Sequence, residues 1–139
     1  MELDMKKVMI LLQKKYSSIR ELDRLTRELE EVAARGDGIS AAMVLEMRGE
    51  EMEKTEHCME ELWQLGEEDR EAYERLKVLL ESDPSKARGE TKEEEMIYEI
   101  RRKTQEVLER LRRTDQRLNE RMAGKKSFYK DVKSVDKAV

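Results

Sequence analysis

Apolar side chains recur at alternating steps of three and four residues along three long stretches of this chain, and this spacing most limits how it can fold. The clearest stretch runs from Thr91 to Met122. Its spaced positions are Ile97, Ile100, Thr104, Val107, Leu111, Thr114 and Leu118. Such steps place residues along one side of an α-helix. The stretch is therefore predicted to be a helix with one face packed against apolar neighbours.

The ends of this helix are also visible in the sequence. Thr91 and Glu94 have the spacing of a capping box, in which the Thr hydroxyl accepts a hydrogen bond from an N–H group of the first turn and the Glu carboxylate reaches back to the N–H of the capping residue. Gly124 is predicted to end the helix in a left-handed conformation.

The first helix is predicted from Asp4 to Arg35. Its apolar face repeats the same spacing through Val8, Leu12, Tyr16, Ile19, Leu22, Leu25, Leu29 and Val32. The segment Gly36-Asp37-Gly38 is a turn signal, and either Asp37 or Ser40 is expected to cap the next helix.

The second helical region is predicted from Ser40 to Glu81. Its spaced positions read Leu45, Gly49, Met52, Glu56, Met59, Trp63, Gly66, Arg70, Tyr73, Lys77 and Leu80. Glycine weakens a helix, so a kink or break is predicted near Gly66, where an acidic run follows. The predicted fold class is therefore all-α: an elongated antiparallel bundle of three long helices over residues 1–124, with the second kinked or broken near Gly66.

Composition supports this interpretation. Charged residues make up 45% of the 139 positions and hydrophobic residues 37%, which is typical of exposed helices with thin apolar seams. The one cysteine, Cys58, cannot form an internal disulfide and fits a reducing compartment. The apolar run Val8–Leu12 is too short for a signal peptide or a membrane span, so a cytoplasmic protein without membrane insertion is expected.

Charge is distributed unevenly along the chain. Residues 96–139 carry 13 Lys and Arg against 7 Asp and Glu, whereas Glu46–Glu71 carries 11 acids against 3 bases. The basic residues of the third helix include Arg101, Arg102, Arg112, Arg113, Arg117 and Arg121. They could meet phosphates, but acids interleave with them and no aromatic platform accompanies them. Pairing with the acidic second helix is favoured over nucleic-acid binding.

Residues 125–139 have a different composition, rich in Lys, Asp and Ser, and are predicted to be a basic, disordered tail. Phe128 and Tyr129 stand side by side within it. Solvation alone does not favour two adjacent aromatic residues, which makes them candidates for protein binding.

The sequence assembles no recognisable active site. His57 and Cys58 are adjacent, but nucleophilic catalysis also needs an orienting group and a pocket. A di-iron bundle site would need two Glu-x-x-His motifs, and the chain has one histidine. No enzyme activity, metal or cofactor is therefore expected.

The apolar stripe of the third helix weakens toward its C-terminal end, where Thr114 occupies a seam position and the step after Leu118 lands on Arg121. An incompletely covered seam can accept a helix from a partner. The predicted binding edge consists of Leu111, Thr114, Leu118 and Met122 together with Phe128 and Tyr129. Methionine adapts to irregular partners, and Met47 is a further open case because methionine also fills core gaps.

Three segments together resemble the flagellar type III export chaperones of the FlgN and FliT kind. The first helix ends in Ala33-Ala34-Arg35-Gly36-Asp37, and the acidic helix carries Arg48-Gly49-Glu50-Glu51-Met52-Glu53-Lys54. The last helix reads Leu118-Asn119-Glu120-Arg121-Met122-Ala123-Gly124-Lys125-Lys126-Ser127-Phe128-Tyr129. The Ser82–Glu90 loop and the Val132–Val139 extension have no match in that pattern.

The resemblance implies a small non-enzymatic protein that binds the C-terminal helices of a hook-associated or filament-cap subunit, prevents premature assembly and delivers the subunit to the export gate. It implies that the end of the last helix binds the client and that Tyr129 docks at an export-gate component. A monomer or weak homodimer is expected. Two other interpretations stay open: a self-associating coiled-coil or adaptor protein, and a nucleic-acid-binding protein that uses the basic third helix.

Overall fold

The computed structural model describes residues 2–122, and every regular element in that range is an α-helix. The helices are α1 (Met5–Ala34), α2 (Gly38–Gln64), α3 (Arg70–Glu81) and α4 (Lys92–Met122). The predicted all-α class is confirmed. Within residues 2–122 the helix count is four rather than three, because the second region is broken near Gly66, where a break was predicted. Gly124 and the predicted tail of residues 125–139 lie outside the described residues.

The turn between α1 and α2 follows from its local sequence. Gly36 has a φ of 71°, the left-handed conformation that favours glycine, and its N–H donates to the Ala33 carbonyl. Asp37 then caps α2: its carboxylate accepts from the Ser40 N–H at 3.0 Å and from the Ser40 hydroxyl at 2.6 Å. These hydrogen bonds hold the pKa of Asp37 below its usual value. Of the two caps considered, Asp37 is therefore the one used.

The break between α2 and α3 depends on a close backbone approach. A Cβ atom on Gly66 would lie 2.8 Å from the Cα of Tyr73, so only glycine fits without a shift. Asp69 caps α3 by accepting from the Glu71 N–H. The acidic run after Gly66 thus forms the turn and the cap rather than the first turn of the helix.

At the start of α4 the predicted cap is present with one change of partner. The Thr91 hydroxyl accepts from the Glu94 N–H at 3.1 Å, while the Glu94 carboxylate accepts from the N–H of Glu90. The Glu95 carboxylate accepts hydrogen bonds from the N–H of Gly89 and from the guanidinium of Arg102. These contacts, the first of them most strongly, hold the pKa of Glu95 below its usual value. Such a carboxylate contributes stability above its usual pKa, and this contribution is lost as the pH falls.

The helices contribute to two compact units. Of the described residues, the first unit contains residues 2–17 together with Lys54–Gln105, and the second contains Ser18–Glu53 together with residues 106–122. The helices α1, α2 and α4 each give residues to both units. No helix in the described range has the length and the apolar character that a membrane crossing needs.

The core of the first unit is apolar and draws on all four helices. Its buried residues are Leu3, Met5, Val8, Leu11, Leu12, Leu62, Ala72, Leu76, Leu79, Ile97 and Tyr98. At its edge the indole of Trp63 lies beside the ring of Tyr73, with a centroid distance of 5.9 Å. The guanidinium of Arg101 donates to the Leu79 carbonyl and that of Arg102 to the Pro84 carbonyl.

In the second unit three helical segments pack together. Its apolar cluster is Leu25, Leu29, Val32, Ala33, Ala41, Val44 and Leu118. Arg110 reaches Asp23 at 3.9 Å and Arg117 reaches Glu30 at 3.3 Å. Since both partners advance along the chain together, α4 runs parallel to α1 in this unit.

The interior of the second unit also contains polar groups. Arg48 of α2 is fully buried, and its guanidinium lies 3.4 Å from the Asp115 carboxylate of α4. Thr26 and Thr114 are buried as well, and each hydroxyl donates to the backbone carbonyl four residues earlier. Burying these hydroxyls costs little because the carbonyl oxygen satisfies them.

The predicted seams of α1 and α4 are confirmed almost throughout, whereas the predicted seam of the second region is confirmed only in part. Met52 is buried, and Leu45, Met59, Trp63 and Leu80 are partly buried against the two cores. The buried positions of α2 and α3 include Ala41, Val44, Arg48, Met52, Cys58, Leu62, Ala72, Leu76 and Leu79. By contrast, Glu56, Arg70 and Lys77 are exposed, and Tyr73 is 40% exposed. Two features change the pattern. Arg48, a charged residue, occupies the interior beside Asp115, and the break after Gln64 interrupts the continuous spacing expected from Ser40 to Glu81.

The glycines of α2 and of the turn after it allow a matched test. Gly66→Ala is expected to lower the free energy of unfolding by about 1–3 kcal/mol, because the new methyl group meets the Tyr73 backbone. Gly49→Ala is expected to raise it by about 0.5–1 kcal/mol, because that position is helical and open. Urea unfolding followed by circular dichroism measures both. Equal effects of the two changes would contradict the close approach at Gly66.

The buried ion pair predicts non-additive mutations. Arg48→Met is expected to cost about 3 kcal/mol of unfolding free energy, because the carboxylate of Asp115 loses a charged partner inside the unit. The double variant with Asp115→Leu should cost less than the sum of the two single changes, by about 1 kcal/mol or more. As a control, Arg117→Met at the more exposed pair with Glu30 should cost less than about 1 kcal/mol. Additive costs at Arg48 and Asp115 in urea unfolding would contradict the coupling.

Candidate functional site

The predicted binding edge at the end of α4 is covered. Leu111 is 1% exposed, Thr114 is 4% exposed and Leu118 is 0% exposed. The prediction that these positions lack apolar cover is therefore wrong. The side chain of Met122 and the whole of Phe128 and Tyr129 lie outside the described residues.

Packing within the second unit explains this correction. Leu118 lies in one apolar cluster with residues of α1 and α2, which supply the cover that the stripe lacks by itself. Thr114 needs no outside partner because its hydroxyl donates to the Arg110 carbonyl. A weak stripe read along one helix therefore does not imply an open edge, since neighbouring helices can complete it.

Among the described residues of the second unit, the exposed large apolar side chains lie instead on α2. Ile39 is 81% exposed, Met43 is 61% exposed and Met47 is 43% exposed. These three residues follow one another at steps of four, so they form one stripe over about two helical turns. We call Ile39, Met43 and Met47 the α2 stripe. It answers the open question about Met47, whose side chain is not part of the core.

The same part of α2 is also apolar on its inner side. Ala41 and Val44 are buried in the cluster of the second unit, while the α2 stripe faces outward. A helix that borders solvent normally places polar residues on its outer face. Apolar residues on both sides are typical of a helix that contacts its own core and a partner.

Acidic side chains border the α2 stripe. Glu46 and Glu50 are exposed and lie within one turn of Met43 and Met47 on the same helix. No ion pair of these two carboxylates occurs within residues 2–122. The surface therefore combines adaptable apolar contacts with unneutralised negative charge.

Within residues 2–122, no ion pair joins a basic residue of α4 to the acidic α2, although such pairing was predicted. Arg110 and Arg117 reach carboxylates of α1, and Arg101 and Arg102 donate to backbone carbonyls in the first unit. The ion pair that joins α2 and α4 has the opposite arrangement of charges. Its base, Arg48, belongs to the acidic α2, and its acid, Asp115, belongs to the basic α4. The net charge of a helix thus did not indicate which of its residues pair.

His57 and Cys58, the adjacent pair considered for nucleophilic catalysis, have different surroundings. His57 is exposed and its Nδ1 lies 2.8 Å from Glu61 on the next turn. Cys58 is buried, and burial raises the pKa of its thiol. A raised pKa keeps the thiol protonated at neutral pH, whereas a nucleophilic cysteine needs a lowered one. Within residues 2–122 no three His, Cys, Asp or Glu side chains are grouped so as to hold a metal ion.

The α2 stripe was not predicted, because the expected pattern assigned a single apolar face to each helix. A signal for it was nevertheless present, since Ile39, Met43 and Met47 keep a regular step of four beside the inner residues Ala41 and Val44. Two interleaved apolar rows on one short segment indicate a helix with two neighbours. Which row belongs to the core could not be read from the sequence.

We compared the chain with family models, curated proteins and solved structures, and nothing in any of the three sets matches it.

Proposed function

We propose that this protein is a non-enzymatic cytoplasmic chaperone of the flagellar export kind. It binds the C-terminal amphipathic helices of a hook-associated or filament-cap subunit, prevents their premature assembly and delivers them to the export gate. The observation that carries the proposal is the α2 stripe, an exposed apolar row on a helix whose other side already belongs to a core.

The dimensions of the stripe suit a helical client. Its three side chains cover about two helical turns, and an amphipathic helix offers matching apolar anchors at steps of three, four and seven. Two of the three anchors are methionines, whose unbranched and polarisable side chains adapt to different partners. A surface of this kind accepts related but non-identical client helices.

Charge adds orientation to this apolar contact. Glu46 and Glu50 border the stripe and favour a client helix with Lys or Arg on its flank. Complementary charge mainly raises the association rate and fixes the register, so binding is expected to weaken as salt increases. The apolar anchors supply most of the affinity.

The resemblance in the last helix supplies the second half of the proposal. Phe128 and Tyr129 are proposed to contact the export-gate component. The segment that carries them follows Leu118, which packs beside Ala41 and Val44 of α2.

Charged substitutions in the stripe test the client site. The variant M43E/M47E is expected to weaken binding of a C-terminal helical client segment by about 30-fold or more, because two methionine side chains lose apolar burial. Isothermal titration calorimetry with a hook-associated or filament-cap segment measures the affinity. Circular dichroism should show unchanged helix content, since both side chains are exposed.

Val78→Glu provides the matched control. Val78 is 61% exposed, the same as Met43, but it belongs to α3 of the first unit. This change should leave client affinity unaltered. Unaltered affinity in M43E/M47E, or an equal loss in both variants, would contradict the proposed site.

A self-associating adaptor is the second candidate, and the same stripe favours it because an exposed apolar row can also pair with its own copy. Sedimentation equilibrium distinguishes the two functions. A chaperone should sediment as a monomer or weak dimer at micromolar concentration. A tight dimer that M43E/M47E dissociates would favour the adaptor.

A further inference from the structure

A groove in the first unit lies at the junction of α2 and α3. It has a volume of about 820 Å³ and is open to solvent. Its aromatic part is formed by Trp63 from α2 and Tyr73 from α3, whose rings lie 5.9 Å apart and are inclined by 44°. We call this pocket the aromatic groove.

A backbone contact between Gly66 and Tyr73 positions this aromatic pair. Gly66 lies against the backbone of Tyr73, and no larger residue fits there without a shift. This contact brings the end of α2 and the start of α3 close enough for the two rings to meet. Tyr73 remains 40% exposed, so part of the aromatic surface stays available to a ligand.

Three carboxylates line the same groove. Glu67 and Glu68 belong to the turn after Gly66, and Glu81 is the last residue of α3. Each is exposed, and none of the three forms an ion pair within residues 2–122. One base, Arg70, also lines the groove, so its net charge is negative.

Aromatic faces combined with unneutralised carboxylates select for an organic cation. A guanidinium group stacks on aromatic rings and binds carboxylates through two parallel hydrogen bonds, which a lysine ammonium cannot do. A freely diffusing small molecule would need an enclosed site, whereas this groove is open. An arginine side chain that projects from a larger partner is the ligand that suits an open groove.

The geometry points to the aromatic groove as a binding site for an arginine-bearing segment of a partner protein. This site goes beyond the proposed client surface, because it belongs to the first unit and uses none of Ile39, Met43 or Met47. Arg70 has the same chemistry as the ligand and lies in the same groove, so it competes with the incoming guanidinium.

Trp63 makes the site directly measurable, since it is the one tryptophan of the chain. The probe is an acetylated Gly-Arg-Gly-Arg-Gly amide, and the matched probe replaces each Arg by Gln. Titration of the full chain with the arginine peptide at low salt should give a saturable change in Trp63 emission. The glutamine peptide should give none.

Variants of the groove separate its parts. E67Q/E68Q should weaken the arginine peptide by about fivefold or more, because charge-assisted hydrogen bonds are lost. Arg70→Gln should strengthen it by about twofold or more, because a competing cation is removed. Tyr73→Leu should weaken it through the lost ring face.

Controls keep this test separate from the proposed function. Glu99→Gln removes an exposed carboxylate elsewhere in the first unit and should change nothing. M43E/M47E should also leave the Trp63 response intact, so the two proposals can fail independently.

Three results would overturn the inference: equal responses to both peptides, unchanged affinity in E67Q/E68Q, or an emission change that follows protein concentration without peptide. The last result would show a second copy of the chain in the groove.

Discussion

Burial of one apolar stripe per helix is the interaction on which this structure depends. Charged residues make up 45% of this chain and hydrophobic residues 37%, so the core can form only if each helix turns its apolar face inward. The seam of α4 contains too few apolar residues to be continuous, and the buried Thr104 and Thr114 occupy two of its positions. Their hydroxyls are satisfied within the helix, which lets polar residues fill apolar positions at low cost.

The buried ion pair follows from the same shortage. Arg48 occupies an interior position that an aliphatic residue would fill in a more apolar chain, and Asp115 neutralises it from α4. Such a pair contributes less to stability than good apolar packing, but it penalises any arrangement that separates its members. It therefore favours one register between α2 and α4 in the second unit.

The α2 stripe and the aromatic groove are unusual in a chain with so few apolar residues. Ile39 and Met43 are left in solvent on a helix that has already contributed to a core, and Tyr73 is partly exposed beside Trp63. When a protein with few apolar residues exposes several of them together, those residues are typical of a binding surface. The two surfaces differ in chemistry, since the first is methionine-rich and helical in shape while the second combines rings with carboxylates.

The sequence by itself determined the long helices, the cap of α4, a choice of two caps for α2 and two of the seams, because these depend on residues close in the chain. Asp37, Gly66 and Thr91 act where their local sequence placed them. Only the tertiary structure decided which row of α2 faces inward, since apolar residues stand on both sides of it and packing against α1 and α4 selects one. The cover over Leu111 and Leu118 was decided in the same way, because it comes from residues far away in the sequence.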